Sequence, residues 1–411
     1  MPLALLYAAI LGGFAAVSVI PEVLGLPTRA FSIGFRVLVL VLVAACFAGW
    51  VRAGRAVHSG PVWVALGVFW FMFLLRLSAD LGVPGGPLPR APADYVLFAI
   101  GIVLLPMIAM LELPGRSTLR AAWLLSLCVV AFAALGILWL LYSGGIAIVW
   151  DNRLSTEVIN PISVGYIGVT LVVLCAARPF DWRTPGVLGV AVLPAVRVLL
   201  AILGSALTVA SGSRGPMIAL AGAMIAWLAL SPVRFRGRIW RITGRMLLVV
   251  GAGVAVAAAA ITIGDLIGVN PFERLEGLLG DESTSYREQA IVGSLAQFAD
   301  RPLFGDALIE RSTFDYPHNV YVESLMSVGI VGTLGLVVFS LAAIISSWRL
   351  LRTSPDAQWV ALLCLVHVFA ALTSGALYLS DSFWAMSAAA ISAASRRGLR
   401  LEWQDSKSGT P

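Results

Sequence analysis

Charge is scarce in this sequence. Only 12% of its 411 residues are charged and 59% are hydrophobic, whereas soluble domains carry roughly 25% charged and 45–50% apolar residues. That shortage excludes an ordinary soluble globular chain. Lysine is nearly absent: Lys407 stands alone, so the net charge of +6 is arginine charge. The arginines fall mostly in short stretches between apolar blocks, where they set membrane orientation, and no nucleic-acid-binding motif accompanies them. The cysteines Cys46, Cys128, Cys175 and Cys364 all lie inside apolar blocks, which excludes a disulfide framework and thiol chemistry. No Walker, Rossmann or nucleophile-elbow pattern is present. No metal-ligand spacing of a standard kind is present either, so neither a metal nor a cofactor is expected. Carboxylates such as Asp265, Glu273, Asp281, Glu282, Asp300 and Asp306 still offer oxygen ligands.

What the sequence has in abundance is long apolar runs, and about 20 such residues span a bilayer as a helix. Twelve runs stand out, at 3–20, 31–50, 61–77, 93–111, 121–142, 161–177, 187–209, 216–231, 246–263, 320–345, 358–376 and 381–395. The fold class expected is an all-α polytopic membrane protein with about 12 transmembrane helices. The first run has no basic n-region and no small-residue cleavage site before a turn expected at Pro21-Glu22, so it reads as an uncleaved helix. Arginine bias, strongest in the cluster Arg234 to Arg245, puts both termini in the cytoplasm. The chain then divides into spans one to nine over 1–263, an outer loop over 264–319, spans ten to twelve over 320–395 and a cytoplasmic tail over 396–411. The outer loop is far longer than the other connections, and long loops in compact proteins usually carry function or are disordered. Within it, 285–299 has apolar residues at helical spacing. Ser283, Thr284 or Ser285 could cap that helix, and Pro302 and Gly305 end it.

Three places carry residue types suited to chemistry. Ser211-Gly-Ser-Arg-Gly-Pro216 sits on a short outer turn. A helix starting at Pro216 would offer free N–H groups to an anion, with Arg214 adding a fork of donors; on spacing alone, a tight turn with a snorkelling arginine is the ordinary reading. Tyr286-Arg287-Glu288 opens the loop helix, where a solvated arginine is the ordinary reading. His318, between Pro317 and Asn319, stands where a span begins, and an imidazole there could act as a general base. Glu323, about a turn further on, could orient it or simply occupy a helix face. His58 reads as solvated. His367, Arg76 and Arg197 lie in or near apolar runs and need partners or a wet cavity. For Arg36, snorkelling is the simpler account.

Taken together, these elements resemble the O-antigen ligase and polymerase superfamily. The matching pieces are SGSRG at 211–215, Arg287 near the start of the loop helix, RPLFG at 301–305 and PHNVYVESLMSVGIVG at 317–332. A departure is Gly305-Asp306-Ala307, where the family often has a second glycine. The resemblance implies a glycosyltransferase of the C class in the bacterial inner membrane, with a periplasmic active site and no cofactor. The donor would be an undecaprenyl-diphosphate-linked glycan and the acceptor a lipid A–core hydroxyl, with membrane lipid around both and no nucleic acid. It further implies that Arg214 and Arg287 hold the diphosphate while His318 activates the acceptor. Ser213, Asn319, Glu323 and Tyr286 are then expected around the substrates. The shortness of loop 143–160 favours a ligase over a polymerase of the same superfamily. A secondary transporter with twelve spans is the alternative from a different class, although no internal repeat supports it.

Overall fold

The computed structural model describes residues 1–52, 60–82, 88–112, 114–143, 153–177, 179, 193–230 and 282–395. Every regular element among them is helical. We number the helices α1 Pro2–Leu24, α2 Thr28–Arg52, α3 Pro61–Leu81, α4 Pro92–Ala109, α5 Arg116–Tyr142, α6 Pro161–Ala176, α7 Leu193–Ala210, α8 Arg214–Leu230, α9 Glu282–Asp300, α10 Val320–Thr353, α11 Gln358–Thr373 and α12 Asp381–Ala394. Seven are long and apolar enough to cross a membrane: α1 to α5, α10, and α11 with its leading turn. The helices α6, α7 and α8 are shorter but also apolar. The protein is therefore a multi-pass membrane protein. These helices cover eleven of the twelve expected runs. The expected span 246–263, the cluster Arg234 to Arg245, loop residues 264–281, His58 and the tail 396–411 lie outside the described residues.

Two boundaries differ from expectation. The first helix does not turn at Pro21 but runs through it to Leu24. Gly25, at φ 64°, ends it there, and the Leu26 N–H donates to the Pro21 carbonyl at 2.8 Å. A left-handed glycine after the last turn is a common helix stop. The loop helix α9 begins at Glu282, so Ser283, Thr284 and Ser285 occupy its first turn and are not the cap.

Small residues let the helices approach closely, as in other membrane bundles. A Cβ on Gly168 of α6 would lie 2.3 Å from the Gly204 carbonyl oxygen of α7, and one on Gly335 of α10 would lie 2.3 Å from the Ala65 oxygen of α3. Aromatic rings fill the centre. Trp384 of α12 lies 5.1 Å from Phe69 and 5.0 Å from Trp70 of α3, and 5.7 Å from Phe339 of α10. Several arginines serve this packing. Arg116 and Arg120 of α5 both pair with Asp356 before α11, Arg36 lies 4.7 Å over the Phe98 ring, and Arg197 donates to the Cys175 carbonyl.

The long helix α10 is broken once, at Gly329 (φ 64°, ψ −168°). This frees backbone groups in the middle of an apolar bundle, where each needs a partner. The 301–306 turn supplies them. Ile330 N–H donates to the Pro302 carbonyl at 2.8 Å, and the Met326 carbonyl accepts from Asp306 N–H at 2.7 Å. Arg76 of α3 donates to the Ser327 carbonyl at 3.1 Å and to the Gly305 carbonyl at 2.8 Å. Gly305 (φ 72°) and Gly329 face one another so closely that a Cβ on either would meet the other segment's backbone at 2.4 Å. Asp306, which follows Gly305, pairs with Arg301 at 3.4 Å and Arg311 at 2.7 Å. The 301–306 turn is thus plugged into the bundle, which fixes the end of α9.

Candidate functional site

A cavity of about 260 Å³ opens at the start of α8. The turn that builds it is short: Ala210 ends α7 and Arg214 begins α8. Gly212 takes φ 59°, and the Ser211 hydroxyl donates to the Thr208 carbonyl at 2.7 Å while accepting from Ser213 N–H at 3.3 Å. The first-turn N–H groups of α8 lack helical partners by construction. The cavity is lined by Ser213, Arg214 and Gly215 of this turn, by Arg287 of α9, by Arg153 before α6, and by Thr373 and Ser374 at the end of α11. Three arginines from distant parts of the chain thus line one cavity at a helix N-terminus. Such an arrangement suits a multiply charged anion carrying phosphate oxygens.

His318 stands beside this cavity and does not line it. It adopts φ 54°, a left-handed conformation uncommon outside glycine and concentrated at functional sites. The next residue, Asn319, caps α10: its Oδ1 accepts from Tyr321 N–H at 3.0 Å and Val322 N–H at 3.2 Å. Its Nδ2 donates to the Leu372 carbonyl at 3.1 Å, which ties His318 to the segment carrying Thr373 and Ser374. The imidazole Nε2 lies 3.8 Å from Asp315 Oδ2, and its ring centroid lies 4.5 Å from that of Tyr316. Tyr286, beside Arg287 on α9, reaches the same Asp315 carboxylate with its hydroxyl at 3.4 Å. Burial first, and the charge of Arg287 second, push the His318 pKa below its ordinary value, against the pull of Asp315. The shift favours the neutral imidazole, the form a base needs.

The sequence-derived candidates thus separate into groups. Arg214, Arg287 and Ser213 line one cavity, and His318 and Tyr286 adjoin it through Arg287 and Asp315. Asn319 is a helix cap. Glu323 is fully buried, and its Oε2 accepts from Leu377 N–H at 2.9 Å; it braces the loop after α11, and the carboxylate at the imidazole is Asp315. His367 is buried against Tyr166, ring centroids 5.9 Å apart, and is not among the lining residues. Sequence reasoning passed over Arg153 and Asp315. Their signals were an arginine in the short stretch 143–160 between two apolar runs and a carboxylate three residues before the histidine.

Residues 199–337 match the family model for O-antigen ligase. The matched stretch begins in α7 and ends in α10, taking in the 211–216 turn, α9, the 301–305 turn and His318. Arg153, Thr373 and Ser374 lie beyond it. No curated protein and no solved structure matches the chain.

Proposed function

We propose that this chain, whose residues 199–337 match the O-antigen ligase family model, is an O-antigen ligase acting at the periplasmic face of the inner membrane. It would transfer an undecaprenyl-diphosphate-linked glycan to a lipid A–core hydroxyl. The observation that carries the reading is the shared cavity of Arg214 and Arg287, with His318 next to Arg287 and its pKa pushed down by burial. In the step itself, the acceptor oxygen bonds to the anomeric carbon of the donor sugar. The bond from that carbon to the diphosphate breaks, the diphosphate keeps the electron pair, and the imidazole of His318 takes the hydroxyl proton. Arg214 and Arg287 stabilise the leaving diphosphate; donors aimed at developing charge contribute about 3 kcal/mol each. A single displacement inverts the anomeric centre.

The test is reconstitution of purified protein with lipid-linked glycan, with and without lipid A–core. Transfer should require the core lipid. Extension of the donor glycan without it would make the protein a polymerase, and substrate flux into vesicles without transfer would make it a carrier. Because arginines neutralise the diphosphate in this reading, ligation should persist in excess chelator. Activity lost in chelator and restored by magnesium or manganese would overturn that part.

A pH profile tests the base. His318 accepts a proton only while neutral, so activity should fall as pH drops through its pKa. That acid limb should lie below the ordinary histidine value of about 6.5. In Arg287→Ala, the loss of a neighbouring positive charge should move the limb of the residual activity to higher pH. In Asp315→Asn it should move lower. An acid limb indifferent to both substitutions would mean that another group titrates.

A further inference from the structure

A third cation lines the cavity, on a segment outside the family match. Arg153 opens the stretch 153–160, which no helix carries, yet that stretch is closely held. Leu154 N–H donates to the carbonyl of Ala210, the residue before the Ser211 turn, at 3.1 Å, and Leu154 is buried. Thr156 N–H donates to the Ile159 carbonyl at 3.0 Å, and Asn160 Oδ1 caps α6 by accepting from Ser163 N–H at 2.8 Å. The strap is anchored at its middle by Glu22, at the end of α1. Glu22 Oε1 accepts from the Thr156 hydroxyl at 2.8 Å and from Val158 N–H at 3.2 Å. The glutamate is in reach because α1 continues through Pro21. An arginine has many rotamers, and fixing its backbone at both a cavity wall and a half-buried glutamate lowers the cost of holding its head group at one place.

From this convergence we infer that Arg153 is a third diphosphate ligand of the site, matched to the charge that the leaving group gains, and that Glu22 positions it through the 153–160 strap. The inference rests on the function proposed above. A diphosphate esterified at both ends carries less charge than the same group after the sugar has left, since the broken bond leaves its electron pair on the terminal phosphate. Two arginines and a helix N-terminus meet the donor. The added charge calls for an added cation, and Arg153 lies in the same cavity to meet it. An interaction that strengthens as the bond breaks raises turnover more than it raises substrate affinity.

The experiment uses the full-length protein in nanodiscs, with farnesyl diphosphate and farnesyl monophosphate as binding probes and the lipid-linked glycan for turnover. Arg153→Gln should weaken farnesyl diphosphate binding about 10- to 100-fold, the range of one lost charge-assisted hydrogen-bonding partner. The monophosphate should be affected less, and the turnover number should fall more than donor affinity. Glu22→Ala should lose diphosphate affinity in the same sense. Combined with Arg153→Gln it should add little, because both changes remove one interaction. Should Arg153→Gln fail to fold, Arg153→Lys decides: it keeps the charge but loses the fork, and should narrow the preference for diphosphate over monophosphate. If Arg153→Gln, or failing it Arg153→Lys, binds both probes like the parent protein while Arg214→Ala loses the diphosphate, the inference fails and the site stands. If neither Arg214→Ala nor Arg287→Ala changes diphosphate binding, the proposed function fails with it.

Discussion

His318→Ala should bind the lipid-linked donor nearly as well as the parent protein and yet turn it over about 10²–10⁴-fold more slowly, the usual worth of positioned proton transfer. The separation follows from geometry. The imidazole stands outside the residues that line the cavity and meets them through Arg287, so its removal takes nothing from the diphosphate's own ligands. Arg214→Ala and Arg287→Ala should behave differently, weakening donor binding and turnover together, because a diphosphate is charged in the ground state as well as in the transition state. Lysine at either position should restore part of the loss, retaining charge without the planar fork. Donor affinity and single-turnover rate, measured for all three alanine variants, decide the matter. A His318→Ala protein that keeps its turnover but loses donor affinity would make the histidine a diphosphate ligand. Asp315 and Glu323 would not replace it simply: the first sits 3.8 Å from the imidazole, and the second is buried on Leu377.

The second large effect concerns the break in α10. Gly329→Ala should cost about 3 kcal/mol or more of stability. A φ of 64° with ψ −168° belongs to a region open essentially to glycine alone. The new methyl would also meet the backbone of Leu303 at 2.4 Å, so the 301–306 turn would have to leave the helix break it fills. That turn holds the end of α9, and α9 carries Tyr286 and Arg287. Loss of activity should therefore exceed loss of folded protein. Thermal unfolding in detergent and ligation per folded molecule measure the two separately. Gly305→Ala, facing the same contact from the other side, should act in the same way. A Gly329→Ala protein with the parent's midpoint and activity would show that the turn and the break are not coupled. Arg76→Ala should be milder, since it removes donors to Ser327 and Gly305 and leaves the backbone pairing in place.

Much of the architecture was legible before any coordinates. Apolar runs of bilayer length permit little except helices, since a spanning backbone must satisfy its own hydrogen bonds. The described parts of eleven runs are helical for that reason. The loop helix was legible from its apolar spacing and came within a few residues of its true start. The boundary expected at Pro21 lies instead at Leu24. Proline ends a helix when its own missing N–H and ring oppose the preceding turn, but here α1 absorbs it in the last turn and Gly25 supplies the stop.

The sequence by itself determined the fold class and the residue types suited to diphosphate and proton chemistry: Arg214 beside a helix start, Arg287 near the start of a loop helix, and His318 at the head of a span. Those are local facts, set by hydropathy, capping and composition within a few residues. Only the tertiary structure decided that Arg214, Arg287 and Arg153 share one cavity, that Asp315 and not Glu323 faces the imidazole, and that Arg76 seals a broken helix. The reason is physical. A guanidinium or a carboxylate has the same chemistry wherever it stands. Its partner is chosen by packing between segments as far apart as α3 and the 301–306 turn, and no local pattern in either segment records the other.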